Sequence, residues 1–356
     1  MIECIFTIDY EIYGDGTGSL KDLVYEPTKR LKDIFEKWNA RFVNFVEVAE
    51  FEKIDSQATD PAIGLVKRQI RELYERGFEI GLHLHPQWCN ARYEQGRWVL
   101  DDAEYNLCTL SRSRIVEIVE HSLGYLRHVL DQPDFDPLSF RAGNWLFQPS
   151  RTAAEVLSEH GIKIDSSVFK GGVQRNHKLD YRRALKNGFY WPFSGNAVEP
   201  DPEGACIEVP IYSEMVPSWR LATTKRMSFG GNVGMAGQSV TRKLNRALDF
   251  LRLRYPLKLD FCRMTLSEMT SMMGRAIRED AKNPALYRPL VAIGHSKDLN
   301  DLQAVDAFLE FLRAKGIAVR TFSDVYSKLA PGKARAGVPA GLKTNPAGEY
   351  AANAKS

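Results

Sequence analysis

Apolar and polar positions follow two alternating rhythms along the chain. Short, nearly continuous apolar runs at Ile2–Ile8, Phe42–Val48, Phe78–His85, Leu138–Ala142, Ile162–Asp165, Cys206–Tyr212, Leu290–Gly294 and Ile317–Thr321 have the length and composition of buried strands. Between them, apolar residues recur every third or fourth position, which predicts helices over Pro27–Trp38, Pro61–Arg76, Ser113–Leu130, Arg151–His160 and Leu302–Ala314. Pro61 fits the first turn of its helix, where its missing N–H costs nothing. A βαβα succession of this length predicts an α/β fold on a mostly parallel sheet, either doubly wound or closed as a barrel. The expected organisation is one unit over residues 1–330, enlarged by a basic helical insertion at about 213–288. A tail over 331–356, rich in Ala, Gly, Lys and Pro, predicts disorder.

Composition narrows the class. The chain has 356 residues, 44% hydrophobic and 26% charged, which is enough apolar material for a large core. Its net charge of +3 gives no global field of the kind nucleic-acid binders carry, so no nucleic acid is expected as a partner. The sum conceals a local excess: residues 215–263 hold ten Lys and Arg, Arg242 and Arg246 among them, against Asp249 and Asp260. That segment reads either as a solvated helical face or as a phosphate-binding patch. No apolar run approaches the ~18 residues of a membrane span. Met1-Ile2-Glu3-Cys4 leads directly into a strand with no basic, apolar and small-residue succession, and the five scattered cysteines form no CxxC pair. Both features predict a cytoplasmic protein with free thiols.

The chemistry lies at the ends of the predicted strands. In Thr7-Ile8-Asp9-Tyr10-Glu11, Asp9 and Glu11 share a face at the carboxyl end, where parallel α/β folds build their sites. Two adjacent carboxylates repel unless a cation lies between them; the alternative is an exposed strand end. His83 and His85 also share a face, about 6.6 Å apart at two strand rises, a separation that lets both imidazoles reach one ion. The alternative is a pair of core histidines. Arg141 in an apolar strand end needs a carboxylate, Asp165 follows a short apolar strand, and His295 ends a buried-type one. Singly these read as an ion pair, a helix cap and a loop histidine; together, five strand ends with metal-type or acid–base residues point to a site.

This order of motifs resembles the polysaccharide deacetylase family (carbohydrate esterase family 4, the chitooligosaccharide deacetylases). Thr7–Glu11 is similar to its opening acidic motif, Ala40–Val46 to its second strand and Glu79–His85 to its E-I-G-x-H motif. Arg141–Asn144 falls at its arginine motif, Ile164–Ser167 at its aspartate motif, Ile293–His295 at its late histidine motif and Val319–Ser323 at its closing strand. The resemblance implies a distorted (β/α) barrel of seven or eight strands, a divalent metal, most simply zinc, and removal of acetyl groups from N-acetylated sugars. It implies Asp9 as general base oriented by Arg141, and His295 as general acid with its imidazole held by Asp165. Glu11, His83 and His85 would hold the metal, with Asp9 and Glu11 able to exchange roles. Asn144, Trp145, Ser166, Arg242 and Arg246 would contact substrate. Two positions depart from the family pattern: Tyr10 replaces a second aspartate, and Gln87 stands where a second histidine is usual. The H-L-H-P form and the long insertion look most like members associated with lipopolysaccharide and other surface glycans. A cytoplasmic enzyme there would meet nucleotide- or lipid-phosphate-linked sugars. The alternatives are another C–N hydrolase on the same scaffold, acting on a non-sugar amide or cyclic ureide, and a catalytically silent glycan-binding protein.

Overall fold

The computed structural model describes residues 1–186, 188–217 and 253–329. Arg242, Arg246 and the 331–356 tail lie outside the described residues. The strands are β1 (Ile2–Tyr10), β2 (Val43–Glu47), β3 (Glu79–Leu84), β4 (Arg92–Glu94), β5 (Arg97–Val99), β6 (Ser139–Ala142), β7 (Ile164–Asp165), β8 (Val173–Gln174), β9 (Leu179–Asp180), β10 (Trp191–Phe193), β11 (Cys206–Glu208), β12 (Ser213–Pro217), β13 (Arg254–Lys258), β14 (Arg288–His295) and β15 (Ala318–Arg320). The helices are α1 (Glu26–Lys37), α2 (Val48–Ser56), α3 (Ile63–Glu75), α4 (Arg112–Leu130), α5 (Arg151–Glu159), α6 (Leu266–Asp280), α7 (Leu302–Ala314) and α8 (Phe322–Leu329).

One curled sheet organises the molecule, in the order β10-β11-β7-β6-β3-β2-β1-β14. Its pairs are parallel except β10–β11. β15 pairs with the first half of β1, which therefore has three partners. The far side of the curl meets where Ile211 bridges both Phe169 and Val291 of β14. The expected strand Cys206–Tyr212 stops early because Pro210 has no N–H to continue a ladder. The chain beyond it meets β14 through that bridge and, after the insertion ribbon, through a second one between Asp260 and Ile293.

Every residue of β1 after Ile2 is buried, as are all of β2, β3 and β14, which is why these strands read as apolar runs without alternation. Phe6 packs edge-on against Phe35 of α1 and against Phe308 of α7, tying the central strand to the outer helices.

Two elements differ from the expectation. α2 follows β2 without a loop, because Val48, Ala49, Phe51 and Ile54 turn an apolar stripe back onto the core. The expected closing strand through Ser323 ends at Arg320. Thr321 N–H donates to Asp324 Oδ2 (2.9 Å) and Asp324 N–H to Thr321 Oγ1 (3.3 Å), a reciprocal cap that starts α8. Within the insertion, the described parts are an antiparallel ribbon, β12 with β13, followed by α6, which opens on a capping box at Thr265 and Glu268. Among the described residues, no helix is long and apolar enough to cross a membrane.

Candidate active site

Strand register brings the predicted residues together. Asp9 is level with His295 across β1 and β14. His83 is level with Glu47 on one side and Arg141 on the other. All of these stand at the carboxyl ends of their strands, and all are buried.

The acid–base set centres on Asp9. Arg141 Nη1 lies 2.6 Å from Asp9 Oδ1, with the arginine fully enclosed. Its remaining donors reach the Ser166 carbonyl through Nε (2.9 Å) and Ser166 Oγ through Nη2 (3.2 Å), and its plane covers the Phe45 ring. Burial pushes the Asp9 carboxyl up, but Arg141, His83 and His295 outweigh it and hold the group below the ordinary aspartate range. His295 Nε2 lies 3.4 Å from the second Asp9 oxygen. Burial outweighs the neighbouring carboxylates and keeps this imidazole below the usual histidine range, so its resting form at pH 7 is neutral.

A second set centres on Glu11. Its Oε2 lies 3.0 Å from His85 Nε2 and 3.5 Å from His83 Nε2, and its Oε1 accepts from Lys297 Nζ at 2.8 Å. Burial raises the Glu11 carboxyl, yet Lys297 and the two histidines overcome it and drive the group well below its ordinary value. His83 Nδ1 donates to the Arg141 carbonyl (2.8 Å), so Nε2, a buried atom with no hydrogen-bond partner, is the nitrogen turned toward Glu11. Neither oxygen of Glu47 has one either, and burial, with Glu50 and Glu11 nearby, lifts that carboxyl well above the usual range. Ligand atoms of Glu11, Glu47, His83 and His85 all lie within 4.8 Å of one another. Two imidazoles and carboxylates, with orphaned atoms facing one point, suit a divalent transition ion. Gln87 and Asn144 amides lie 3.4 and 3.3 Å from His85 Nδ1, and either amide can present nitrogen or oxygen to suit the tautomer.

The loop after β6 carries strain. Asn144 and Trp145 both have positive φ, 53° and 59°, a conformation that a bulky side chain adopts only under constraint. Gly143 before them packs so closely that a Cβ would sit 2.6 Å from the His85 ring and from the Leu84 carbonyl. The result sets the Trp145 indole perpendicular to the His295 ring, 5.9 Å between centroids.

Two placements differ from the sequence expectation. Asp165 does not reach His295. It pairs in register with Phe140 and Glu208, and its Oδ1 accepts from Ser167 Oγ (2.6 Å). The carboxylate on the far side of the His295 ring is Asp298, 3.9 Å from Nδ1 and held by Arg263 (2.6 Å). Ser166 is completely enclosed and supports Arg141, so it is not on a substrate-facing surface. Sequence reasoning also missed Glu47, Lys297, Asp298 and Glu208. Glu47 ends an apolar strand in the same way as Asp9, and Glu208 is a single acid inside Cys206–Ile211, so both carried the signal used for the others.

Glu208 gives a pH prediction. Burial first, then the neighbouring Asp165 carboxyl, raises its pKa well above 4.5. A raised carboxyl stabilises the fold fully below its unfolded pKa and progressively less as pH rises toward its folded value. Glu208→Gln keeps an acceptor for the Val168 N–H and removes the titration. Urea denaturation is expected to find the variant more stable than wild type at pH 8 and indistinguishable from it near pH 4.5.

A curled parallel sheet with its polar residues gathered at the carboxyl ends is the distorted (β/α) barrel of the polysaccharide deacetylase type. Among solved structures, the chain is similar to a protein classed as a polysaccharide deacetylase from Mycobacterium smegmatis, with a TM-score of 0.52 and 14% identity, covering 97% of this chain and 94% of that one. A second, from Pseudomonas aeruginosa PAO1 and also classed as a polysaccharide deacetylase, gives 0.53 and 11% over 92% and 90%. The PuuE allantoinase gives 0.51 and 12% over 92% and 90%. At these identities the likeness is one of fold. No protein-family model and no curated protein matches the sequence.

Proposed function

We propose that the chain is a metal-dependent hydrolase that removes the acetyl group from an N-acetylated amino sugar in a glycan or glycan precursor. The observation that carries this reading is the buried pairing of Asp9 with Arg141 and His295 directly beside the Glu11, His83 and His85 cluster. Those three residues, with Glu47 at the same point, would hold the ion, and two imidazoles with a carboxylate favour zinc. When bound, a divalent ion supplies Lewis acidity, polarising a carbonyl and acidifying water.

The remaining chemistry belongs to the side chains. Arg141 keeps Asp9 ionised and fixes its direction, so its carboxylate takes the proton of the attacking water. His295, neutral at rest and next to the other Asp9 oxygen, can receive that proton and deliver it to the leaving nitrogen. Asp298 on the Nδ1 side stabilises the imidazolium that forms in between. Strained Trp145 closes one wall against His295. Work in the cytoplasm on nucleotide- or lipid-phosphate-linked sugars during surface-polysaccharide assembly is the physiological extension of this proposal.

The test combines metal analysis of the purified protein with an acetate-release screen over N-acetyl sugars, free and nucleotide-linked. About one divalent ion per chain and chelator-sensitive acetate release are expected. No ion and no acetate would reject the reading. Lys297 favours a second reading, in which its ammonium on Glu11 serves as the fixed cation and the substrate is a non-sugar amide or cyclic ureide. Full activity in His83→Ala/His85→Ala, lost in Lys297→Met, would select it.

A further inference from the structure

Lys258, the last residue of β13, is delivered to the barrel mouth by the insertion ribbon, where it pairs in register with Ser213 of β12. Its Nζ lies 2.9 Å from the centroid of the Trp145 ring and 4.5 Å from that of Phe169. The same indole stands against the His295 ring, so one aromatic ring separates the ammonium from the proposed acid. Among the described residues, no acceptor receives a hydrogen bond from the Lys258 ammonium. Within the described residues, the contacts of its ammonium are the Trp145 and Phe169 rings.

This arrangement is costly in the free protein. An ammonium partly removed from water, with no carboxylate or carbonyl to receive its protons, is destabilised, and cation–π attraction offsets only about 2 kcal/mol. Burial accordingly lowers the amine to about 7, with Asp260 and Asp9 opposing that fall and Arg263 and Arg141 adding to it. The titratable and charged groups around it are thus Asp9 on β1, Arg141 on β6, the neutral His295 on β14 beside the indole, and Asp260 and Arg263 just past β13. A methionine would fill the space between the rings without this cost. A cation kept at the edge of a site, lacking an acceptor, fits a ligand that brings one.

We propose that Lys258 binds an anionic oxygen group of the substrate, a carboxylate or a phosphate ester, held over Trp145 beside the amide to be cleaved. The substrate is therefore an acidic sugar derivative. This rests on the deacetylase reading for the word substrate, while the anion site itself does not. The insertion ribbon sets the selectivity, and Trp145 serves both as the wall of the catalytic pocket and as the floor of the anion subsite.

The experiment titrates the full-length protein with glucuronate, dimethyl phosphate and glucose, following tryptophan fluorescence, in wild type, Lys258→Met and Lys258→Arg. Both anions keep constant charge across the range used, and the first two ligands separate a carboxylate from a phosphate ester. Lys258→Met is expected to weaken binding of the preferred anion about tenfold or more, as befits loss of a charged hydrogen bond, without changing the response to glucose. Lys258→Arg should retain the anion. Wild-type affinity should fall as pH rises from about 6 to about 8, as the amine loses its proton, and the arginine variant should stay flat because guanidinium does not titrate there. Equal anion affinity in wild type and Lys258→Met, or parallel pH profiles in wild type and Lys258→Arg, would overturn the proposal. The arginine comparison serves if the methionine variant does not fold. Lys258-dependent anion binding without acetate release would reject the deacetylase reading alone. Acetate release from acidic N-acetyl sugars with unchanged kcat and KM in Lys258→Met would reject the anion subsite alone.

Discussion

Arg141→Met is expected to lower the free energy of unfolding by about 3–5 kcal/mol, the usual cost of removing one partner of a buried ion pair. Methionine can occupy much of the space over the Phe45 ring, so the loss is electrostatic more than volumetric. What remains is the Asp9 carboxylate, almost wholly enclosed and 2.6 Å from where the guanidinium had been. Without Arg141 the burial that pushes the Asp9 carboxyl upward loses its largest opponent, and the group takes up a proton. Urea denaturation with an unchanged m-value would measure the effect. A loss below about 1 kcal/mol would show that water reaches the pair and that its coupling is weak. The double variant Asp9→Asn/Arg141→Met should lose less than the two single losses added together, because neither charge is then left alone.

Asp9→Asn is expected to reduce acetate release by about 10²- to 10⁴-fold, the range that a positioned general base contributes. The amide keeps the shape of the carboxylate and one oxygen for Arg141, but cannot take a proton. The effect should fall on kcat with KM little altered, since the lost interaction belongs to the transition state. Glu11→Gln separates the roles assigned to the two acids: it should abolish ion binding, whereas Asp9→Asn should leave the ion content near wild type. Inverted results, with ion lost from Asp9→Asn and retained in Glu11→Gln, would exchange the two assignments.

Much of the architecture was readable because its strands are buried on both faces. Such strands become apolar runs, and any polar residue at the end of one must have a purpose; Asp9, His83, Arg141 and His295 stood out on that principle alone. Which groups would meet was less legible. Pairing in a parallel sheet depends on strand order and register, and these put Asp165 beside Glu208 and Ser167, not beside His295. Asp298, three residues past His295, fills that place because the chain turns back there in a short 3₁₀ segment. The α8 start was legible locally: Thr-Phe-Ser-Asp is a capping signature that family-level similarity to a closing strand masked. Lys258 could not be singled out by sequence. It is one of ten basic residues in its segment, and only the β12–β13 pairing turns it toward Trp145.

The three-sided pairing of β1 has a consequence for biosynthesis. β1 holds Asp9 and is made before most of the sheet, and its β14 and β15 partners lie far downstream of it in sequence. While the ribosome works through the intervening residues, one flank of an almost entirely apolar strand has no ladder to join, and only β2 can cover the other. Such long-range closure is slow and leaves a sticky edge in the meantime. Asp9 and His295 therefore meet only after the whole stretch between them has been made, and until then the pair stays incomplete.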